Sequence, residues 1–254
     1  MNQNVVKTET AKTTTFLERE ALAQLHKVLY EFDEPFYKEH VQNPGSMLGL
    51  FCNGGTMANV SAMWVARNHQ LGPRLDDDGN KIFDGVEFTG IPKALRYYGY
   101  DGAIVIGSDL MHYSMNKAAD VLGCGLQALV KIPVDTNYRV DLDMMEERIL
   151  EAKRKRECVV AIVGICGTTE TGAIDPLQDM ANLAAKYNIH FHVDAAWGGP
   201  CMFFFVDIYL FTQFVFHFFN LQLISFVQKK STQKKVSSLL PTDLNAGVSS
   251  KLIL

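Results

Sequence analysis

The chain is predicted to fold as an α/β protein, with a mostly parallel sheet covered by helices on both faces. Short runs that are almost wholly apolar alternate with amphipathic stretches, and strands apolar on both faces are typical of a parallel sheet buried between helices. With 254 residues, 48% of them hydrophobic and 20% charged, the chain has enough apolar material for one large domain or two small ones.

The first hundred residues predict two helices around a short strand. Thr15 to Glu18 has the pattern of a capping box, and apolar residues then recur at spacings of three and four as far as Phe36. Residues 49–52 are short and apolar, which predicts a strand. The turn Gly54-Gly55-Thr56 then opens a helix of small residues.

Four more strands are predicted further along the chain. They cover residues 102–107, 126–132, 158–165 and 189–193. Helices are predicted from Tyr113 to Leu122, after an N-cap at Asp141, and from Asp175-Pro176 to Asn188. Because an acidic N-cap followed by proline is a common helix start, Asp175 is expected to cap its helix.

Charge and cysteine content argue against some classes of protein. A formal net charge of -4 and a pI near 6.0 leave no basic surface for nucleic acid. The five cysteines have no C-x-x-C spacing and are expected to be reduced thiols. Since the N-terminus also lacks an apolar signal segment, the sequence predicts a cytoplasmic protein.

The composition changes after residue 200. Residues 201–254 contain nine of the 16 Phe and no Glu. A membrane span is one interpretation, but polar residues at positions 207, 213, 217 and 220 interrupt the apolar run. We favour translation outside the ancestral frame, through a frameshift or a retained intron, and expect a disordered or poorly packed tail. The predicted division is therefore residues 1–200 and residues 201–254.

Polar groups follow several of the predicted strands. Gly55 and Thr56 open a helix, whose N–H groups and dipole favour a phosphate. His112 and Thr169 each follow a strand, and Asp194 ends the last one, where a buried acid needs a partner such as a protonated ring nitrogen. Taken singly, each is also compatible with a turn, a structural histidine or an N-cap. Because the carboxyl ends of parallel strands share one sheet edge, we expect these residues to cluster there.

Two patterns resemble metal sites but lack necessary parts. His190 and His192 share one face of a strand without a convincing third ligand. Acidic residues between Asp76 and Glu87 follow the EF-hand spacing, but Lys81 occupies the place that needs glycine. We expect no metal and interpret the acidic segment as a surface loop.

Motifs from these regions occur in a characteristic order. They are Gly54 to Asn59, Met111 to Ser114 with Lys117 to Ala119, Gly167 to Thr169 with Gly172-Ala173 and Asp175-Pro176, and His192 to Gly199. Together they resemble the motifs of group II pyridoxal-phosphate-dependent amino acid decarboxylases. The resemblance covers roughly residues 1–200 and implies part of the large cofactor-binding domain of the aspartate-aminotransferase-like fold, fold type I. It also implies a homodimer in the family.

The resemblance implies a pyridoxal 5'-phosphate site. The implied catalytic residues are His112, which stacks on the pyridine ring, and Asp194, which pairs with the ring nitrogen. The phosphate is held at Gly55 and Thr56. The complete set of implied cofactor-binding residues is Gly55, Thr56, His112, Thr169, Asp194 and Ala196.

The implied substrate is an acidic amino acid. Trp197 resembles the residue found in family members that act on acidic substrates, whereas aromatic decarboxylases tend to have tyrosine there. Decarboxylation of L-aspartate or L-glutamate is therefore expected, with cysteine sulfinate left open.

One expected element of the family is not recognisable. The lysine that binds the cofactor covalently follows a histidine in the family, and no His-Lys pair follows Asp194. Lys229, Lys230, Lys234 and Lys235 lie in surroundings that match nothing in the family. The family's small C-terminal domain and its N-terminal dimerisation segment are also expected to be missing.

We therefore expect this chain to be inactive by itself. The alternatives are a non-catalytic fragment that binds cofactor or a partner subunit and, less favoured, a membrane-anchored protein.

Overall fold

The computed structural model describes residues 8–30, 32–200 and 252–253, and helices and strands alternate between residues 102 and 194. The helices are α1 (Thr8–Ala11), α2 (Thr13–Tyr30), α3 (Glu34–His40), α4 (Gly55–Gln70), α5 (Val86–Thr89), α6 (Ile91–Tyr98), α7 (Ser114–Val121), α8 (Leu142–Arg154) and α9 (Leu177–Tyr187). The strands are β1 (Arg74–Leu75), β2 (Lys81–Phe83), β3 (Gly102–Ser108), β4 (Leu129–Ile132), β5 (Glu157–Ile165), β6 (His190–Asp194) and β7 (Leu252–Ile253).

Strands β3 to β7 form a parallel sheet in the order β4-β3-β5-β6-β7. The chain moves outward from β3 to β4, then crosses back to β5 and continues to β6. The strand order therefore reverses beside β3, and open α/β sheets bind ligands at the carboxyl ends of the strands near such a reversal. The predicted α/β fold with a parallel sheet is confirmed.

The two faces of the sheet are covered by different helices. Val105 faces one apolar cluster, which includes small side chains of α4 and α7. Ile104 and Ile106 face the other cluster, which includes side chains of α8 and α9. Because successive strand residues point to opposite faces, a wholly apolar strand is what such a three-layer arrangement requires.

The N-terminal region differs from the prediction in two places. The helix expected to continue to Phe36 is interrupted, and α3 begins as a separate helix after Asp33, whose carboxylate accepts a 3.1 Å hydrogen bond from the Phe36 N–H. Pro35 in the first turn of α3 suits a new start, since proline has no N–H to donate. Residues 49–52 form no strand with the described residues and instead lead, partly buried, into α4. Short apolar runs do not distinguish a strand from a buried loop.

Two other expectations are refined by the structure. The strand predicted over 126–132 begins with a 3₁₀ turn, Leu126–Ala128, and only Leu129–Ile132 pairs with β3. The acidic segment forms an antiparallel hairpin of β1 and β2. Its turn is closed by Asp76, whose Oδ1 accepts hydrogen bonds from the N–H groups of Asp78 and Asn80.

Asp175 does not cap α9, contrary to the prediction. Its buried carboxylate accepts a 2.9 Å hydrogen bond from the N–H of Val140 and another of 2.9 Å from the N–H of Ile165. The N-cap position of α9 is Pro176. Burial raises the pKa of Asp175, and the two backbone hydrogen bonds oppose that rise. The side chain therefore fastens the segment before α8 to the end of β5.

The described part of the chain bears on two further expectations. None of its helices is long and apolar enough to cross a membrane. Its four cysteines, Cys52, Cys124, Cys158 and Cys166, are free thiols, and burial raises the pKa of Cys158 to about 12.

The Phe-rich tail lies outside the described residues, apart from Leu252–Ile253, which pair with Phe191 and His192 of β6. The division at residue 200 and the interpretation of the tail stay predictions.

Replacing Asp175 with alanine is expected to lower the free energy of unfolding by about 2–4 kcal/mol, because two buried N–H groups lose their acceptor. In the variant, the free energy of unfolding should also lose the part of its pH dependence that the Asp175 carboxyl causes. A carboxyl whose folded pKa is raised stabilises the fold below its unfolded pKa, and that contribution is lost as the pH rises through the folded value. Urea unfolding followed by circular dichroism between pH 3 and pH 8 measures both effects. Asp77→Ala, at an exposed turn position, is the control. Identical unfolding of Asp175→Ala and Asp77→Ala at every pH would contradict this account.

Candidate active site

Asp194 is the last residue of β6, a strand that is buried along its whole length. Phe191 and Val193 of this strand pack in the cluster on the α8 and α9 side of the sheet. His190, His192 and Asp194 alternate with them and so occupy the opposite face. The polar face of β6 is thus turned toward α4, and the Asp194 carboxylate reaches the carboxyl edge of the sheet while remaining 7% exposed.

Asn59 of α4 connects this carboxylate to its surroundings. Its side-chain Nδ2 donates hydrogen bonds of 2.9 Å to Asp194 Oδ2 and 2.8 Å to Ser114 Oγ. Its Oδ1 accepts a hydrogen bond of 2.9 Å from His192 Nε2. Asn59 is 1% exposed, so these partners replace the water that a buried amide would otherwise lose. One carboxamide therefore joins α4, β6 and α7.

The hydrogen-bond chain continues from Ser114 to His112. The Ser114 hydroxyl lies 2.8 Å from His112 Nδ1, and the Ser114 N–H donates to the same nitrogen at 3.2 Å. The ring centroid of His112 lies 4.1 Å from that of Tyr113. His112 and Asp194, the two residues predicted to be catalytic, are therefore linked through Ser114 and Asn59.

Gly55 and Thr56 form the first turn of α4, directly after Gly54. Gly54 has a φ of 94°, and a Cβ built on it would meet nothing within 4 Å. The first N–H groups of a helix have no intrahelical partners, and the positive end of the helix dipole lies beside them. Asn59 follows Thr56 by three residues, about one helical turn, so the anion-attracting end of α4 is close to the helical turn that binds Asp194.

Ala196 and Thr169 lie in the loops that follow β6 and β5. The Ala196 N–H donates a 3.2 Å hydrogen bond to Asp194 Oδ1, and Ala196 is exposed. Thr169 is exposed in a turn closed by a hydrogen bond between Gly172 N–H and Thr168 C=O. Thus Ala196 contacts Asp194, whereas Thr169 lies in the neighbouring loop with no described hydrogen bond to the cluster.

These two loops are held against each other by backbone contact. The Gly198 N–H donates a 2.8 Å hydrogen bond to the carbonyl of Cys166. A Cβ on Gly198 would lie 2.3 Å from that carbonyl oxygen, closer than any side chain tolerates. The Cys166 N–H in turn donates to the Asp194 carbonyl at 2.9 Å. The absence of a side chain at position 198 therefore allows the close approach, and the backbone hydrogen bond to Cys166 holds the turn that carries Ala196.

Asn59 and Ser114 had no predicted role, although both lie in the family-like motifs of the sequence. A signal was present for Asn59. With Ala62, Met63 and Ala66 it follows the spacing of one buried helix stripe, and a polar side chain on such a stripe requires a partner. The alternation of polar and apolar residues in β6 indicated where that partner lies.

A family model described as "Pyridoxal-dependent decarboxylase conserved domain" matches residues 1–208 of the chain. Aspartate 1-decarboxylase of Aliivibrio fischeri is 46% identical over 202 residues, which are 80% of this chain and 36% of that protein. L-2,4-diaminobutyrate decarboxylase of Acinetobacter baumannii is 32% identical over 152 residues, 59% of this chain and 29% of that protein. The chain thus spans about a third of the length of the relatives it matches.

Solved structures show the same relationship. The glutamate decarboxylase domain of a diaminobutyrate-pyruvate transaminase and L-2,4-diaminobutyrate decarboxylase from Vibrio parahaemolyticus superposes with a TM-score of 0.64 at 26% identity, over 79% of this chain and 39% of that chain. Mouse CSAD superposes with a TM-score of 0.61 at 25% identity, over 79% of this chain and 36% of its own. Because the family model matches most of this chain, and because a buried carboxylate and the N-terminus of α4 lie at the sheet edge, this chain belongs to the pyridoxal-dependent decarboxylase family.

Proposed function

We propose that residues 1–200 form the cofactor-binding part of a decarboxylase for an acidic L-amino acid, and that the 254-residue chain by itself binds pyridoxal 5'-phosphate without turning over substrate. The observation that carries the proposal is the contact between Asn59 and Asp194. Through this contact a buried carboxylate lies beside the N-terminal turns of α4, so that one edge of the sheet offers an acceptor for a ring N–H and donors for a phosphate.

The donor set fits the two ends of this cofactor. The first turn of α4 offers backbone N–H groups and the hydroxyl of Thr56 to a dianionic phosphate, and Gly54 leaves open space above that turn. Asp194 offers carboxylate oxygens to a protonated pyridine nitrogen. The phosphate donors belong to the first turn of α4, and Asp194 is bound by Asn59 of the same helix, about one turn further on. This short separation suits a ligand as small as one substituted ring.

Asp194 is the residue on which the chemistry depends in this proposal. Bound pyridoxal phosphate supplies an electron sink for the electrons released when a carbon–carboxylate bond breaks. Asp194 keeps the ring nitrogen protonated by accepting its hydrogen bond in a site shielded from water. His112, partly exposed at the same edge, would offer an aromatic face to the ring, and Ala196, whose N–H binds Asp194, would be a second contact for it.

An acidic substrate is favoured by two observations. The aspartate 1-decarboxylase of Aliivibrio fischeri is 46% identical to this chain over the matched region. Trp197, which the sequence analysis associated with acidic substrates, is 63% exposed in the turn directly after Ala196. We therefore place L-aspartate before L-glutamate as the substrate of the complete active site.

The proposal of an inactive chain rests on one missing pattern. Among residues 195–254 there is no histidine followed directly by lysine. A lysine in that role both binds the cofactor and returns a proton after carbon dioxide has left, so its loss removes a binding step and a general acid. Cofactor held without it depends wholly on noncovalent contacts such as those of Asp194 and Thr56.

Replacing Asp194 with alanine is expected to weaken binding of pyridoxal phosphate at least about tenfold, since a charge-assisted hydrogen bond to the ring nitrogen is lost. The measurement is a titration of the purified 254-residue protein with the cofactor, followed by absorbance and equilibrium dialysis. Asp120→Ala, at an exposed position of α7, should bind like the unaltered chain. No saturable binding by the unaltered chain, or equal affinity of Asp194→Ala and Asp120→Ala, would overturn the cofactor site.

The purified chain is expected to release no carbon dioxide above background from L-aspartate or L-glutamate when pyridoxal phosphate is present, because no lysine stands in the family's context. Release of labelled carbon dioxide is measured, together with borohydride reduction to detect cofactor fixed to the protein. A variant with alanine at Lys229, Lys230, Lys234 and Lys235 is compared. Turnover by the chain that this variant abolishes would show that a lysine of residues 201–254 performs the covalent role and that the chain is an active enzyme.

A further inference from the structure

We infer that Asn59 is a positioning residue that aims the Asp194 carboxylate, fixes the tautomer of His192 and, through the Ser114 hydroxyl, joins His112 to the same network. The inference deepens the proposed function and rests on it for its consequence on cofactor binding. The hydrogen bonds from which it is argued lie within this chain, so the cofactor-free protein is enough to test them.

The direction of the hydrogen bonds at Asn59 follows from what each partner is able to donate. A carboxylate only accepts, so the group of Asn59 that faces Asp194 Oδ2 is the amide NH₂. The amide oxygen then faces His192 Nε2, at 2.9 Å. An amide oxygen does not donate, so His192 Nε2 carries a hydrogen. The carboxylate therefore fixes the orientation of the carboxamide, and the carboxamide fixes the His192 tautomer.

The hydrogen bonds from Ser114 determine which nitrogen of His112 carries the proton. Asn59 Nδ2 donates to Ser114 Oγ, which leaves the hydroxyl hydrogen of Ser114 available to His112 Nδ1. The Ser114 N–H also donates to His112 Nδ1. A ring nitrogen that accepts two hydrogen bonds carries no hydrogen itself, so the proton of neutral His112 is on Nε2. Both histidines of the network are thereby held in the Nε2–H form.

The two oxygens of Asp194 are held from different sides. Asn59 binds Oδ2 and the Ala196 N–H binds Oδ1, from α4 and from the turn after β6. These bonds oppose rotation of the carboxylate about its last torsion, and each oxygen keeps further lone-pair directions for a ring nitrogen. A site whose charged group is fixed before the ligand arrives loses less rotamer freedom on binding.

The first test uses the cofactor-free, 254-residue protein labelled with ¹⁵N-histidine. Two-bond ¹H–¹⁵N spectra report which ring nitrogen is protonated, and His112→Asn and His192→Asn assign the two signals. Both residues are expected as Nε2–H in the unaltered chain. Asn59→Ala is expected to give mixed tautomers at His192, whose Nε2–H loses its acceptor, whereas His112 keeps the Ser114 N–H as a donor to Nδ1 and stays in the Nε2–H form. An Nδ1–H form of either histidine in the unaltered chain, or a His192 tautomer unchanged in a folded Asn59→Ala, would overturn the inference.

The second test measures the affinity and absorption spectrum of bound pyridoxal phosphate. Asn59→Ala is expected to weaken binding at least about tenfold and to shift the absorption band, because the carboxylate is no longer aimed at the ring. Asn59→Asp keeps the side-chain volume but sets a carboxylate against Asp194, and should weaken binding further. Ser108→Ala removes another buried hydroxyl, at the end of β3, and is expected to bind as the unaltered chain does.

The outcomes separate the two proposals. If the unaltered chain binds no cofactor, the proposed function fails, while the tautomers still decide the role of Asn59. If the chain binds cofactor but folded Asn59→Ala and Ser108→Ala bind with equal affinity, Asn59 does not position Asp194. Should Asn59→Ala fail to fold, the tautomers of the unaltered chain and the affinity of Asn59→Asp decide the matter.

Discussion

The buried carboxylate of Asp194 is the constraint on which the arrangement of this sheet edge depends. A charge removed from water is costly unless hydrogen bonds replace its hydration. Here those bonds come from a helix side chain, Asn59, and from the backbone of the following turn at Ala196. The helix α4 must therefore contact the end of β6, although the two are far apart in sequence. The packing around Asp194 holds them in this position.

The packing of α4 shows how the chain satisfies this constraint. Ala58, Ala62 and Ala66 are almost wholly buried, and their small side chains allow the helix to lie close to the sheet. At that distance a side chain as short as that of Asn59 spans the gap to Asp194. On the other side of the site, Gly198 lets the turn after β6 rest on the carbonyl of Cys166. Small residues thus bring the polar groups within reach, and the polar groups fix the register of the close-packed elements.

The same geometry suits the chemistry associated with the family. A carboxylate that is shielded and held in one orientation is a strong partner for a protonated ring nitrogen, and a helix N-terminus is a natural phosphate site. These features concern the binding and electronic tuning of a cofactor. Covalent attachment is a separate requirement, met in the family by a lysine, and no residue of the described part of the chain has been assigned to it. Cofactor binding and turnover are therefore separate requirements in the family, and the features described here concern the first.

Much of the fold was determined by local pattern. The apolar runs at β3, β5 and β6 and the periodic helices between them were recognisable because burial on both faces leaves no polar position in a strand. The predicted strand at 49–52 was wrong because apolarity reports burial and not pairing. Asp175 was misassigned for a related reason: its local context resembled an N-cap, but its two carboxylate oxygens accept hydrogen bonds from the N–H groups of Val140 and Ile165 instead of from the first turn of α9.

Sequence and tertiary structure also determined different features of the candidate site. The sequence by itself determined the order of the motifs, and with it the family and the position of Asp194 at the end of a strand. Only the tertiary structure decided the partners of that carboxylate, since Asn59 and Asp194 are 135 residues apart and nothing in local spacing relates them. Burial turns such a distant pair into a requirement, because a hydrogen bond that is optional in water becomes obligatory when water is excluded.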